Sequence, residues 1–247
     1  MLICKKTRTF IMQSFEKNNS QSLLDSALTA IRSKILSGEL KAGEYLSPER
    51  DLSEQMGISR SSLHQAILEL EYQGFVTIIP RRGTVVNDFR KYPTTQSLEA
   101  LMSSDSLDIE KSLFDDMMDF RLWLERECAA KACENIYRST YCEMLDIIDD
   151  LQEENADIAE LMYSFHYKLT QASGNSLYTM VWRGFEPVLK NMISHHYSIK
   201  CSDLSQSICL MKTLMTLISE KKPLEAGDCV CELITIGIDV LRERYTE

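Results

Sequence analysis

From Ser22 onward the apolar residues Leu23, Leu24, Ala27, Leu28, Ile31, Ile35 and Leu36 recur at helical spacing, which predicts an amphipathic helix. Gly38 stops it. Ser47-Pro48 then supplies a cap followed by proline at a first helical position, so a short helix is expected over 48–56, ended by Gly57. Ser59 is placed to cap a third helix with Leu63, Ala66, Ile67 and Leu70 on one buried face, and Gly74 ends it. The period then changes from 3.6 to 2. Residues 75–79 and 84–86 read as two strands around Pro80-Arg81-Arg82-Gly83. Asn87 to Gln96, with Pro93, reads as a connecting segment.

Beyond about residue 98 the whole pattern is helical. Helices are expected near 107–118, 119–136, 139–154, 157–172, 176–198, 203–220 and 223–244. Asp157 is placed to cap the fourth of these, Gly174-Asn175 breaks the chain after it, and Pro187 is expected to kink the fifth. The predicted fold is therefore mainly α. A flexible N-terminus covers 1–20, within which Met12 is an alternative start. A winged helix-turn-helix covers 21–89, a linker 90–99, and an antiparallel α-helical bundle 100–247.

Composition narrows this reading. The chain has 247 residues with 44% hydrophobic and 26% charged residues, enough apolar matter to bury a core. Only 9 Gly and 5 Pro argue against a loop-rich all-β protein. No stretch approaches the length of a membrane span, and the N-terminal residues lack the apolar core of a signal peptide. With no export signal and no Cys-x-x-Cys, the eight cysteines are expected to be reduced thiols in a cytoplasmic protein.

Net charge is −10, which taken alone discourages a nucleic-acid partner. The charge is unevenly spread. Residues 1–91 hold 13 Lys and Arg against 10 Asp and Glu, whereas residues 92–247 hold 14 against 27. Two modules with different partners are the expected result.

The basic module carries candidate double-stranded DNA chemistry. Arg60, Ser61, Ser62, His64 and Gln65 open the third helix on the side away from its apolar face. A helix N-terminus favours phosphate, and Arg and Gln can read purine edges in the major groove. Arg50 opens the preceding helix, and Arg81, Arg82 and Gly83 form the hairpin tip, where a wing meets the minor groove or backbone.

The run IRSKILSGELKAGEYLSPERDLSEQMGISRSSLHQAILELEYQGFVTIIPRRGTVVNDF, residues 31–89, resembles the GntR family of bacterial transcription regulators. The resemblance implies Arg50, Arg60, Ser61 and Ser62 as DNA contacts, with Ser59 at the helix cap. His64 stands where fatty-acid-type members carry arginine. The second half resembles the ligand-binding domain of the FadR subfamily, through FRLWLERECAAKA (120–132) and FHYKLTQASGNSLY (165–178). Many members of that subfamily bind a divalent metal through an Asp four residues before a His and two later His. Here the first position is Met162 before His166, and the later ones fall near Met211 and Leu233. Thioether and alkyl groups do not replace imidazole, so no metal is expected.

The fatty-acid-responsive type of this subfamily implies an acyl-CoA effector, with Met118, Arg121, Met162, His166 and Met211 at the ligand. From the residues alone, Arg121 reads equally as an internal ion pair with Glu125 one turn later. Three other features have plain readings. Cys229 and Cys231, two apart on a helix, face different sides. His195-His196 fits a solvated helix end, although a pH sensor has the same residues. The acidic run Asp146, Asp149, Asp150, Glu153 and Glu154 fits a solvated face.

The expected function is transcription regulation by a homodimer that binds operator DNA and responds to long-chain acyl-CoA. The sequence shows no catalytic motif, and neither a cofactor nor a membrane partner is expected. The rival readings are a metal-free small-carboxylate sensor of the same architecture and an enzyme acting on acyl-CoA.

Overall fold

The computed structural model describes residues 19–103, 109–199 and 203–243. The expected loose N-terminus and alternative start at Met12 lie outside these residues, apart from the first turn of the first helix. That helix, α1 (Asn19–Leu36), begins three residues earlier than its apolar pattern indicates. It packs on α3 (Arg60–Tyr72), burying Ala27, Ile31, Ile35 and Leu36. The short α2 (Glu49–Met56) starts one residue later than expected. Ser47 is not its cap; the Pro48 carbonyl accepts from the Asp51 and Leu52 amides. Gly57 closes the helix in the left-handed region, at φ +65°, where a side chain would be strained.

Ser59 caps α3 as expected, its hydroxyl accepting from the Ser62 amide at 3.1 Å. Leu63, Ala66, Ile67 and Leu70 are all buried. The wing is an antiparallel pair, β1 (Val76–Ile79) and β2 (Gly83–Val86), with Val76 opposite Val86 and Ile79 opposite Gly83. Tyr45 adds a bridge to Val85, so the segment before α2 lies along the outer edge of the hairpin.

The expected linker 90–99 contains the start of a helix, α4 (Thr95–Met102). The polar turn signals hid a capping box: the Thr94 hydroxyl accepts from the Ser97 amide, and the Ser97 hydroxyl accepts from the Thr94 amide, both at 2.9 Å. The Thr94 hydroxyl lies 3.2 Å from where a side chain on Gly74 would begin. Gly74, at φ +83°, is thus fixed by both its backbone and its neighbour.

The remaining helices are α5 (Lys111–Asn135), α6 (Arg138–Asp150), α7 (Ile158–Ala172), α8 (Ser176–Gly184), α9 (Glu186–Ile199), α10 (Asp203–Ser219) and α11 (Pro223–Glu243). Two expectations need correction. Residues 107–118 and 119–136 do not form separate helices; α5 runs unbroken from Lys111 because nothing in it breaks a helix. Conversely, Pro187 does not kink one long helix. The chain breaks at Phe185, and Pro187 sits in the first turn of α9, where its missing N–H leaves no bond unmade. Asp157 caps α7 as expected, accepting from the Glu160 amide.

In the bundle, α5 packs against α7 and α11, α7 against α6 and α9, and α10 against α11. α5 is also tied to the winged helix. The Glu110 amide donates to the Leu36 carbonyl at 2.7 Å, and Arg90, just past the wing, donates to the Ser112 hydroxyl at 2.7 Å and pairs with Asp116.

Candidate functional site

Two sets of side chains stand out, one on each half. On the winged helix, α3 turns its apolar face to α1 and leaves Arg60, Ser61, His64 and Gln65 exposed. Ser62 is half-buried, and its hydroxyl bonds the Ser59 hydroxyl at 2.9 Å. Arg50 is exposed on α2 and pairs with Glu54 at 3.3 Å. His64 meets Glu49, the first residue of α2, at 3.1 Å. Sequence reading missed Glu49, since fifteen positions separate it from His64 and only the turn between α2 and α3 unites them. Arg81, Arg82 and Gly83 are exposed at the wing tip. Arg81 takes a positive φ of 62°, and the Arg82 amide donates to the Ile79 carbonyl to close the turn.

The second set is buried in the bundle. Met118, Arg121, Met162 and His166 border one cavity between α5, α7, α9 and α11. Met211 is fully buried but is not part of that wall; Leu233 and Ile234 from α11 stand there instead. His196 is the opposite case. It does not lie at a solvated helix end but is 3% exposed and faces the cavity, one turn beyond Met192 and Ile193 on the inner face of α9. Its spacing from those two residues carried the signal.

Glu125 joins Arg121 and His166. It is fully buried and accepts from Arg121 Nε at 2.8 Å and from His166 Nδ1. Arg121 therefore makes the internal ion pair that helical spacing allowed, and it also borders the cavity. Burial alone would raise the Glu125 carboxyl, but the charges of His166 and Arg121, with their hydrogen bonds, outweigh it and hold the group below its usual value. The guanidinium lies 5.3 Å from the Trp182 ring centre, over its face.

This arrangement does not fit a divalent metal. His166 Nδ1 is committed to Glu125, and two neighbours of His166 on the cavity wall are the thioether of Met162 and the alkyl group of Leu233. Among the described residues no group of three His, Cys, Asp or Glu side chains could hold a metal ion. The free space inside is about 30 Å³, room for one or two waters.

The other singled-out residues take ordinary places. Cys229 donates toward the Leu210 carbonyl and Cys231 toward the Leu122 carbonyl, so they face different helices. Burial pushes the Cys229 thiol up to about 11. Asp146, Asp149, Asp150, Glu153 and Glu154 are exposed. No helix among the described residues is long and apolar enough to cross a membrane.

Known proteins share both halves. Residues 24–86 match the model of bacterial regulatory proteins of the gntR family, and residues 116–235 match the FCD domain. The fatty acid metabolism regulator protein of Proteus mirabilis is 26% identical, covering 85% of this chain and 87% of its own length. That of Klebsiella pneumoniae is 28% identical over 72% of this chain and 74% of its own. Among solved structures, Lar of Listeria monocytogenes superposes with a TM-score of 0.53 at 19% identity, covering 93% of this chain and 99% of Lar, which speaks for the fold alone. With a gntR-family winged helix joined to an FCD effector domain, the chain belongs to the GntR family of DNA-binding transcription regulators.

Proposed function

We propose that this regulator is a cytoplasmic homodimer, without enzymatic activity, whose operator binding is modulated by long-chain acyl-CoA. Arg50, Arg60, Ser61, Ser62, His64, Gln65, Arg81, Arg82 and Gly83 would meet the DNA, with Ser59 holding the helix start. The observation that carries the regulatory part is α5 itself. One unbroken helix bears Met118 and Arg121 at the cavity, and its first turns are bonded to the winged helix through Glu110, Ser112 and Asp116. A ligand that shifts α5 would reorient the DNA module, and in a dimer the two recognition helices would then no longer match their half-sites.

The acyl part is supported by the relatives named as fatty acid metabolism regulators and by the flexible Met118 and Met162, which adapt to irregular apolar shapes. A long chain needs this small cavity to widen. That same small volume favours the rival reading, a small carboxylate held by Arg121 and His166. The two readings separate in a chain-length series titrated against operator binding. Each buried methylene contributes about 0.8 kcal/mol, so an acyl effector gains affinity with length until the cavity is filled. A flat series with a full response to acetate-sized ligands would overturn the acyl reading. Arg121→Ala is expected to weaken the response.

A further inference from the structure

Beside the central cavity lies a second, almost wholly apolar crevice between α5, α8 and α9. Its walls include Met117, Phe120, Leu124, Trp182, Phe185 and Leu189. Phe120 is 39% exposed, so the crevice reaches the surface. Two residues, Met118 and Arg121, border both spaces and so form the partition between them. They differ in freedom. Arg121 is pinned by Glu125 and covers the Trp182 face, whereas Met118 is an unbranched thioether with several rotatable bonds.

Trp182 adds a second, independent observation. The residue is 2% exposed, and its indole Nε1 finds no hydrogen-bond acceptor among the described residues. A buried tryptophan normally satisfies this donor, because leaving it unmatched costs the desolvation of the N–H. A single unmatched donor in an apolar slot suits one neutral acceptor attached to an apolar body. A phosphate or a free carboxylate would bring more charge than one N–H can meet, and the nearest cation is already engaged by Glu125. An acyl carbonyl has the right composition.

We propose that this crevice is the outer compartment of the effector site, where the Trp182 indole N–H donates to the carbonyl oxygen of a bound acyl thioester. Met118 turns aside, and the apolar chain passes inward to the central cavity. This rests on the acyl-CoA reading above.

The test uses the full-length chain carrying Trp123→Phe, an exposed position whose removal leaves Trp182 as the sole indole. The indole N–H resonance is followed while oleoyl-CoA, oleate or free CoA is added. Oleoyl-CoA is expected to move it downfield, and free CoA to leave it in place. An equal shift with oleate would overturn the preference for a neutral carbonyl. Trp182→Phe removes the donor and keeps a smaller aromatic ring. It is expected to weaken oleoyl-CoA binding at least tenfold while the free protein still melts in one cooperative transition, lowered only by the lost ring volume at this buried position. Unchanged affinity, or a silent resonance at saturation, overturns the crevice site even where operator release by oleoyl-CoA persists. If oleoyl-CoA neither binds nor affects operator release in the unmodified protein, the acyl-CoA reading itself fails, and this site with it.

Discussion

In the winged helix, Arg50, Arg60, His64, Arg81 and Arg82 are exposed, and the ion pairs among them and their neighbours stand in water. In the bundle, Arg121, Glu125 and His166 make a similar number of charged contacts with almost no exposure. The difference teaches what each set can be for. Exposed pairs are worth little to stability and are free to exchange a carboxylate for a phosphate or a base edge. A buried set is held by the cost of leaving any member unpaired, so it fixes geometry and responds only to something that enters the interior.

The contrast breaks first, and most heavily, at Glu125. Glu125→Ala leaves Arg121 and His166 facing each other without a carboxylate, and is expected to cost about 3–5 kcal/mol in chemical denaturation. A loss below about 1 kcal/mol would show that the set is not a tightly coupled unit. The same group gives a pH signature. Its carboxyl binds a proton less readily folded than unfolded, so its stabilising contribution is complete above the usual carboxylate range. That contribution is lost as pH falls through the lowered folded value. Glu125→Gln should therefore flatten the acid limb of a stability-versus-pH curve, and an unchanged limb would contradict the lowered value.

The exposed set predicts smaller effects, seen in DNA binding and not in folding. Arg60→Ala is expected to weaken operator binding by about 1–3 kcal/mol and blur sequence preference, with the melting temperature unaltered. Equal discrimination between operator and scrambled DNA before and after the change would remove Arg60 from the base readers. Glu49→Gln releases His64 and removes a negative charge from the same face. Its effect on stability should stay under about 1 kcal/mol, while DNA affinity rises at low salt and converges with the parent at high salt. The smallest expected effect is none: a chelator should leave melting temperature and operator binding unchanged, and elemental analysis should find no stoichiometric transition metal. A drop in stability on chelation would mean that the cavity accepts a metal despite Met162 and Leu233.

Local signals were legible where residues close in sequence decide them. The Ser59 cap, the α3 face and the Arg81-Arg82-Gly83 turn depend on neighbours within a few positions. Reading failed where punctuation was ambiguous. Thr94 and Ser97 look like loop residues until they cap each other, and Pro187 looks like a kink until the chain breaks two residues before it. His196 was misplaced because its neighbour His195 suggested a wet helix end, although the Met192-Ile193 spacing pointed inward.

The sequence alone determined the three helices and hairpin of the first half, the helical character of the second, the basic and acidic halves and the candidate DNA face, because period, capping and charge act over one or two helical turns. The Arg121–Glu125 pair was likewise within its reach, being one turn apart on a single helix. Only the tertiary structure decided that His166 completes that pair from α7, 41 positions away, that Met211 stays off the cavity wall, and that Trp182 keeps an unmatched N–H beside Arg121. Those facts depend on which helix faces which across the core. Packing of whole helices sets that relation, and no local pattern along the chain encodes it.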